Sequence, residues 1–377
     1  MNPAMPKRFN VAGPCMPDRH YMLPAIDRLP EAGRLAEQGD YFVVHAARQS
    51  GKTTLLQALA DGINAAGQHY ALYCSLETMQ GFEDADRGME RILALLRAAL
   101  ELNPIPELNR IKLEIGNEDA VTVLRLALSR LCSVLPHPLV LFFDEADCLS
   151  GQALITFLRQ LRDGYVNRSL APFPWSIALV GMRDIRDFKA KARPESEAPG
   201  SASPFNIVTK TLTLGNFTRE QVAALYRQHT ENTGQVFEPE ATERAWYWSE
   251  GQPWLANALA RQVVEDDLAG DVSLPVTGEH IDSAAGTLMR RRDTHIDSLL
   301  DRLKEQRVRR VIEPMLTGAE NKVSLLHDDT RFCLDLGLVK ADDAGMLRPA
   351  NPLYREVIVR ALTYDIQAML PVNLINR

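Results

Sequence analysis

The sequence predicts an α/β fold: a parallel sheet with helices on both faces, then an all-α region, then a helical region closed by a small hairpin. Three observations predict it. Short β-prone apolar runs alternate with stretches of helical spacing up to about residue 215, a pattern that makes strands parallel and crossovers helical. Two runs, Leu139–Phe143 and Ser176–Gly181, are apolar throughout, as strands covered on both faces must be. After Leu214 the strand signal stops and helical spacing continues alone.

Taken in order, the leading segment carries Pro3, Pro6, Pro14, Pro17, Pro24 and Pro30. It reads as extended chain with a short helix near Ala25–Gln38. Strands are expected at Tyr41–Ala46, His69–Ser75, Leu139–Phe143, Ser176–Gly181 and Ile207–Leu214. Helices are expected at Lys52–Ala66, Asp84–Leu102, Ala120–Leu135 and Gln152–Asp163. Arg193–Pro204, rich in Pro, Ser and Ala, reads as a surface loop. Thr218 and Gln221 have the spacing of a capping box. Helices should follow at Thr218–Thr233, Pro239–Ser249 and Pro253–Asp267, and a linker at Asp271–Thr277. Further helices are expected at Asp282–Leu303, Gln306–Leu316 and Asp328–Leu336. A hairpin (Leu338–Lys340 and Met346–Arg348, turning at Asp342–Gly345) precedes a last helix from Pro352 to Met369. The implied domains are 1–215, 216–275 and 276–377.

Composition narrows the class. The chain has 377 residues, enough for two or three domains and a sizeable core. Apolar residues are 46% and charged residues 24%, within the globular range. A net charge of −7 argues against a general basic coat for nucleic acid, though not against a local patch. Five cysteines lie scattered with no CxxC pair, which suggests reduced thiols in the cytoplasm. No apolar run reaches the ~18 residues that span a bilayer, so no membrane is expected as a partner, and the N-terminus has no signal-peptide core.

The chemistry concentrates between the first strand and the first long helix. Arg48-Gln49-Ser50-Gly51-Lys52-Thr53-Thr54 follows a strand and opens a helix, the context a Walker A loop needs. Its backbone N–H groups would cradle phosphates at the helix N-terminus. Gly51 would let the backbone approach closely, Lys52 would reach the β- and γ-phosphates, and the Thr53 hydroxyl would bind Mg²⁺. Ala46 stands where the motif has its first glycine. If that position requires positive φ, alanine costs about 1 kcal/mol or more there; if φ is negative, it is harmless. Downstream, Leu139–Phe143 delivers Asp144-Glu145 to the carboxyl edge of the sheet, where open α/β sheets bind ligands. Asp144 would hold Mg²⁺ through water, and Glu145 would orient or deprotonate an attacking water. Asp147 reads as a helix cap or a surface acid. Arg183, at the tip of the next strand, has two readings: a γ-phosphate sensor, or a surface ion pair with Asp184 or Asp187. The predicted architecture is therefore a P-loop NTPase parallel sheet with helices on both faces, followed by an all-α domain and a C-terminal winged-helix module, with ATP and Mg²⁺ as ligands.

RQSGKTT, LVLFFDEAD, LVGMRD, LTLGNFTREQV and SEGQPWL together resemble the AAA+ superfamily and its STAND relatives, and more narrowly the bacterial AAA-like domain ATPases. The resemblance covers most of the chain. It implies a P-loop domain, helical lid and winged helix, and a switch that binds ATP and hydrolyses it slowly. It also implies that Pro253, in the GxP position, packs near adenine; from the residues alone, Pro253 is simply a proline at the first helical position. Asn10–Pro17 and Tyr21 are further candidates for base contacts by the same resemblance.

Partners stay open. Arg290, Arg291 and Arg292, with Arg307, Arg309 and Arg310, are either a grip on double-stranded DNA phosphates or a solvated face paired with intervening acids. Arg168 is either an arginine acting in trans in a homo-oligomer or a surface residue. The functional alternatives are a DNA-binding loader resembling origin-recognition or transposition ATPases, and a degenerate P-loop protein that binds nucleotide without turnover.

Overall fold

A computed structural model of the chain describes residues 6–116, 118–182, 206–291, 294–316 and 327–369. The Arg193–Pro204 stretch, Arg183, Asp184, Asp187 and Arg292 lie outside the described residues. The chain forms two compact units. One comprises Pro24–Ala46 and Gly51–Leu214; the other comprises Met1–Leu23, Ala47–Ser50 and Gly215–Arg377.

The first unit contains a five-stranded sheet of β1 (Tyr41–His45), β2 (Tyr70–Ser75), β3 (Leu139–Asp144), β4 (Ser176–Gly181) and β5 (Val208–Thr213). The order is β2-β3-β4-β1-β5, and every pairing is parallel. Alternate side chains of the same strands serve two cores, as period-two geometry requires. Phe42, Val44, Val140, Phe142, Ala178 and Val180 pack with α1 (Pro30–Gln38) and α2 (Lys52–Ala66). Val43, Leu72, Leu141, Phe143, Ile177 and Leu179 pack with α3 (Ala85–Glu101), α5 (Val123–Val134) and α6 (Gly151–Val166). Between α3 and α5 lies α4, a single turn at Pro106–Asn109 that the sequence reading did not anticipate. Register aligns Ser75 with Asp144 and His45 with Gly181, so the loops after β1 and β3 leave from the same edge.

In the second unit, α7 (Arg219–Thr233) starts with the expected capping box: Gln221 N donates to Thr218 Oγ1 at 3.2 Å, and Thr218 N donates to Gln221 Oε1 at 2.9 Å. Next come α8 (Pro239–Ser249) and α9 (Pro253–Arg261), which runs on into a π-helical turn at Gln262–Asp267. The helix expected over Asp282–Leu303 is described as α10 (Gly278–Arg291) and α11 (Thr294–Leu303), with residues 292 and 293 outside the described residues. After α12 (Gln306–Leu316) and α13 (Asp328–Asp335), β6 (Val339–Ala341) pairs antiparallel with β7 (Leu347–Pro349), and α14 (Pro352–Met369) follows. Asp342 shapes the hairpin turn by accepting from Ala344 N at 3.0 Å and Met346 N at 2.8 Å. One continuous core joins these elements and includes Phe9 and Tyr21 from the start of the chain.

Gly251, between α8 and α9, has φ +72°, and a Cβ there would lie 1.9 Å from the carbonyl oxygen of Phe217. That carbonyl approach, with Phe217 N donating to Gly251 O at 2.8 Å, ties the start of α7 to the α8–α9 turn.

Candidate functional site

The side chains at the edge of the first unit's sheet form a connected set. Lys52, the first residue of α2, is only 5% exposed, and its Nζ donates to the Ala46 carbonyl at 3.0 Å. Thr53 Oγ1 donates to Asp144 Oδ2 at 2.6 Å, joining residues 91 positions apart. Asp144, 1% exposed, also accepts from the Tyr73 hydroxyl at 3.0 Å, and its Oδ1 accepts from Glu145 N at 3.0 Å. Burial and the neighbouring Asp144 push the Tyr73 phenol well above its ordinary value, which keeps it a neutral donor. A threonine hydroxyl and a carboxylate are hard oxygen donors, the set that suits Mg²⁺ when phosphate oxygens complete the shell.

Glu145 is half-buried and sits at φ 53°, a left-handed conformation that a non-glycine residue adopts only where its surroundings impose it. Burial raises its carboxyl above the ordinary value; Lys52 opposes the rise, and Asp147, Asp144 and Glu77 add to it. Among the described residues, no group hydrogen-bonds its side chain. The candidate base therefore keeps acceptor capacity for a water.

The loop itself resolves the question of Ala46. Ala46 is buried, is not among the positive-φ residues, and continues the sheet by donating to Gly181 O at 3.2 Å. Alanine is harmless there. The left-handed residues are Gln49 (φ 57°) and Gly51 (φ 92°). For Gln49 that conformation costs about 1–2 kcal/mol. The Arg48 side chain donates to Ser298 Oγ at 3.1 Å, and the Gln49 side chain hydrogen-bonds His295. Both side chains are thus engaged by α11, leaving backbone amides as their contribution to an anion site. Ser50 is buried and Thr54 half-buried. Arg28, not singled out from the sequence, brings Nη1 to 2.9 Å from where a Gly51 Cβ would stand, so a second cation lies against the α2 N-terminus.

Other expected residues fall as follows. Pro253 is buried at the first position of α9, behind an N-cap in which Gln252 Oε1 accepts from Leu255 N at 2.6 Å. Asp147 is neither a helix cap nor a plain surface acid: its Oδ2 accepts from Met182 N at 3.1 Å, clasping the end of β4, where Gly181 leaves it room. Tyr21 is a core residue whose ring packs on Phe9 and His229 and whose hydroxyl donates to Asn232 Oδ1 at 3.0 Å, which leaves no face for a base. Arg168 is exposed and lies 4.0 Å over the Tyr165 ring. In the basic clusters, Arg291 pairs with Asp266 at 3.1 Å, Arg307 with Asp329 at 3.2 Å and Arg309 with Glu313 at 2.6 Å; Arg290 reaches Thr287 and Arg310 approaches Asp329 at 4.0 Å.

This fold is that of the AAA+ P-loop NTPases. The chain belongs to the AAA-like domain family, whose description matches residues 28–358. Among solved structures it is similar to the Walker-type ATPase PABY2304 of Pyrococcus abyssi, with 16% identity, 93% of this chain and 99% of that one covered, and a TM-score of 0.59. It is also similar to the Aeropyrum pernix ORC2 protein (15% identity, 90% and 93% covered, TM-score 0.49). The Thermotoga maritima RuvB Holliday junction branch migration motor is a third (14% identity, 89% and 92% covered, TM-score 0.43). No curated protein matches.

Proposed function

We propose that the protein is an ATP-binding, slowly hydrolysing AAA+/STAND-type switch, in which nucleotide state governs a helical lid (216–275) and a winged-helix domain (276–377). The observation that carries it is the Thr53–Asp144 hydrogen bond beside the buried Lys52. It joins the two halves of a Walker site that lie far apart in sequence. In this reading the amides of residues 48–54 cradle the phosphates, Lys52 neutralises charge developing on the γ-phosphate, and Thr53 with Asp144 holds Mg²⁺. The metal supplies a Lewis acid for the phosphate oxygens. Glu145 orients and deprotonates the attacking water. Pro253 packs near the adenine, and Arg183 distinguishes ATP from ADP. Membership of the AAA-like family supports the reading.

DNA loading is the less favoured alternative, because Arg291, Arg307 and Arg309 already have acidic partners. The test is ATP turnover per subunit over a wide protein-concentration range, with Lys52→Ala as the blank. Turnover above that blank supports the ATPase reading, and wild type indistinguishable from it overturns the reading. A rise in turnover per subunit with concentration makes a neighbour part of the site, with Arg168 the first residue to replace.

A further inference from the structure

We propose that His295 is a positioning residue for the phosphate loop, holding Gln49 in the left-handed conformation that turns the loop's amides toward one anion. The inference rests on the nucleotide-binding reading above and deepens it.

Across residues 48–51 the backbone alternates: Gln49 and Gly51 have positive φ, while Arg48 and Ser50 are not among the positive-φ residues. A backbone in which the sign of φ alternates in this way can turn successive N–H groups toward one concave anion site. Gly51 adopts its half of the pattern without a steric penalty. Gln49 does not, so something outside its backbone must hold it there.

His295 supplies that restraint. Its Nδ1 hydrogen-bonds Gln49 Oε1, and its Nε2 hydrogen-bonds the hydroxyl of Tyr354, a buried residue of α14. The ring stacks on Trp254, with centroids 4.6 Å apart and planes 17° from parallel. These partners fix the tautomer. Gln49 Oε1 can only accept, so Nδ1 carries the proton, and Nε2 of the neutral ring accepts from the Tyr354 hydroxyl. Burial, helped by the charge of Arg48, pushes the imidazole down to about 3, so the ring stays neutral. A second brace comes from Gln252, whose Nε2 lies 3.5 Å from the carbonyl oxygens of both Arg48 and Gln49. All these residues belong to one compact unit, which includes Ala47–Ser50.

The role separates from simple packing because glycine needs no help at position 49. Affinity for a fluorescent methylanthraniloyl-ATP with Mg²⁺ is measured for wild type, His295→Ala, Gln49→Gly and the double variant. His295→Ala is expected to weaken binding about tenfold when Gln49 is present, and by less than about twofold in the Gln49→Gly background. Equal losses in both backgrounds, or no loss in either, overturn the proposal. Tyr354→Phe keeps the packing but removes the donor to Nε2. It should give a loss of about threefold that Gln49→Gly again suppresses; this pair decides the matter if His295→Ala does not fold. Failure of the wild type to bind overturns the nucleotide-binding reading itself, whereas normal wild-type binding with additive effects overturns the positioning role alone.

Discussion

Lys52, Asp144 and Glu145 illustrate two ways in which burial shapes a polar group. Lys52 and Asp144 are buried with partners already in place. Lys52→Ala should weaken ATP binding by about 10- to 100-fold, the loss expected for a charge-assisted contact, as read by equilibrium titration. Glu145 is the group left with acceptor capacity, and burial raises its carboxyl. A general base must be ionised, so its raised value moves the acid limb of turnover to higher pH than an exposed glutamate would give. Glu145→Gln should keep nucleotide binding, lower turnover by about 100-fold or more and abolish that limb. A pH–rate profile of both proteins checks it, and wild-type turnover in the variant would remove Glu145 from the role. That Lys52, Thr53 and Asp144 would lie at one sheet edge was legible because their spacing relative to strand and helix is local. Tyr73 was not, because its link to Asp144 depends on the β2–β3 register, which one strand's sequence does not reveal.

At the scale of elements, Gly251 and Thr218 bracket the region where α7, α8 and α9 meet. Gly251→Ala combines a left-handed φ with a Cβ placed against a backbone oxygen, so it should destabilise by roughly 2–4 kcal/mol or more. Thr218→Ala removes one arm of a capping box and should cost about 1 kcal/mol. Denaturant unfolding of both variants measures the contrast. Most element types were readable because apolar runs and helical spacing are strong local signals. The reading failed where the cue was weak. The turn α4 (Pro106–Asn109) went unanticipated because four residues are too few to show helical spacing. The unusual backbone at Gln49 and Glu145 was equally hidden, since neither residue type favours positive φ.

For the whole molecule, charge distribution favours the proposed switch over the loader. The net charge is −7, and the described arginines of the C-terminal clusters are largely paired. Duplex DNA affinity should therefore be weak, and replacing Arg290, Arg291 and Arg292 by alanine should change it less than about twofold at 150 mM salt. A strong salt dependence, lost on that replacement, would restore the loader reading, because each phosphate contact contributes a slope of about one in log affinity against log salt. Among the described residues no helix is long and apolar enough to cross a membrane.

The place of Phe9 and Tyr21 has a consequence for how the chain is made. Both are core residues of the second unit, and Tyr21 bonds Asn232, 211 residues downstream. On a ribosome adding about 5–20 residues per second, these aromatic residues emerge at least on the order of ten seconds before their partners exist. The sheet of Pro24–Leu214 can close in that interval, while the leading segment must wait. The beginning of the chain is therefore among the last parts to find its place, and a nascent chain stalled near residue 214 would carry it as exposed aromatic surface, open to capture by a chaperone.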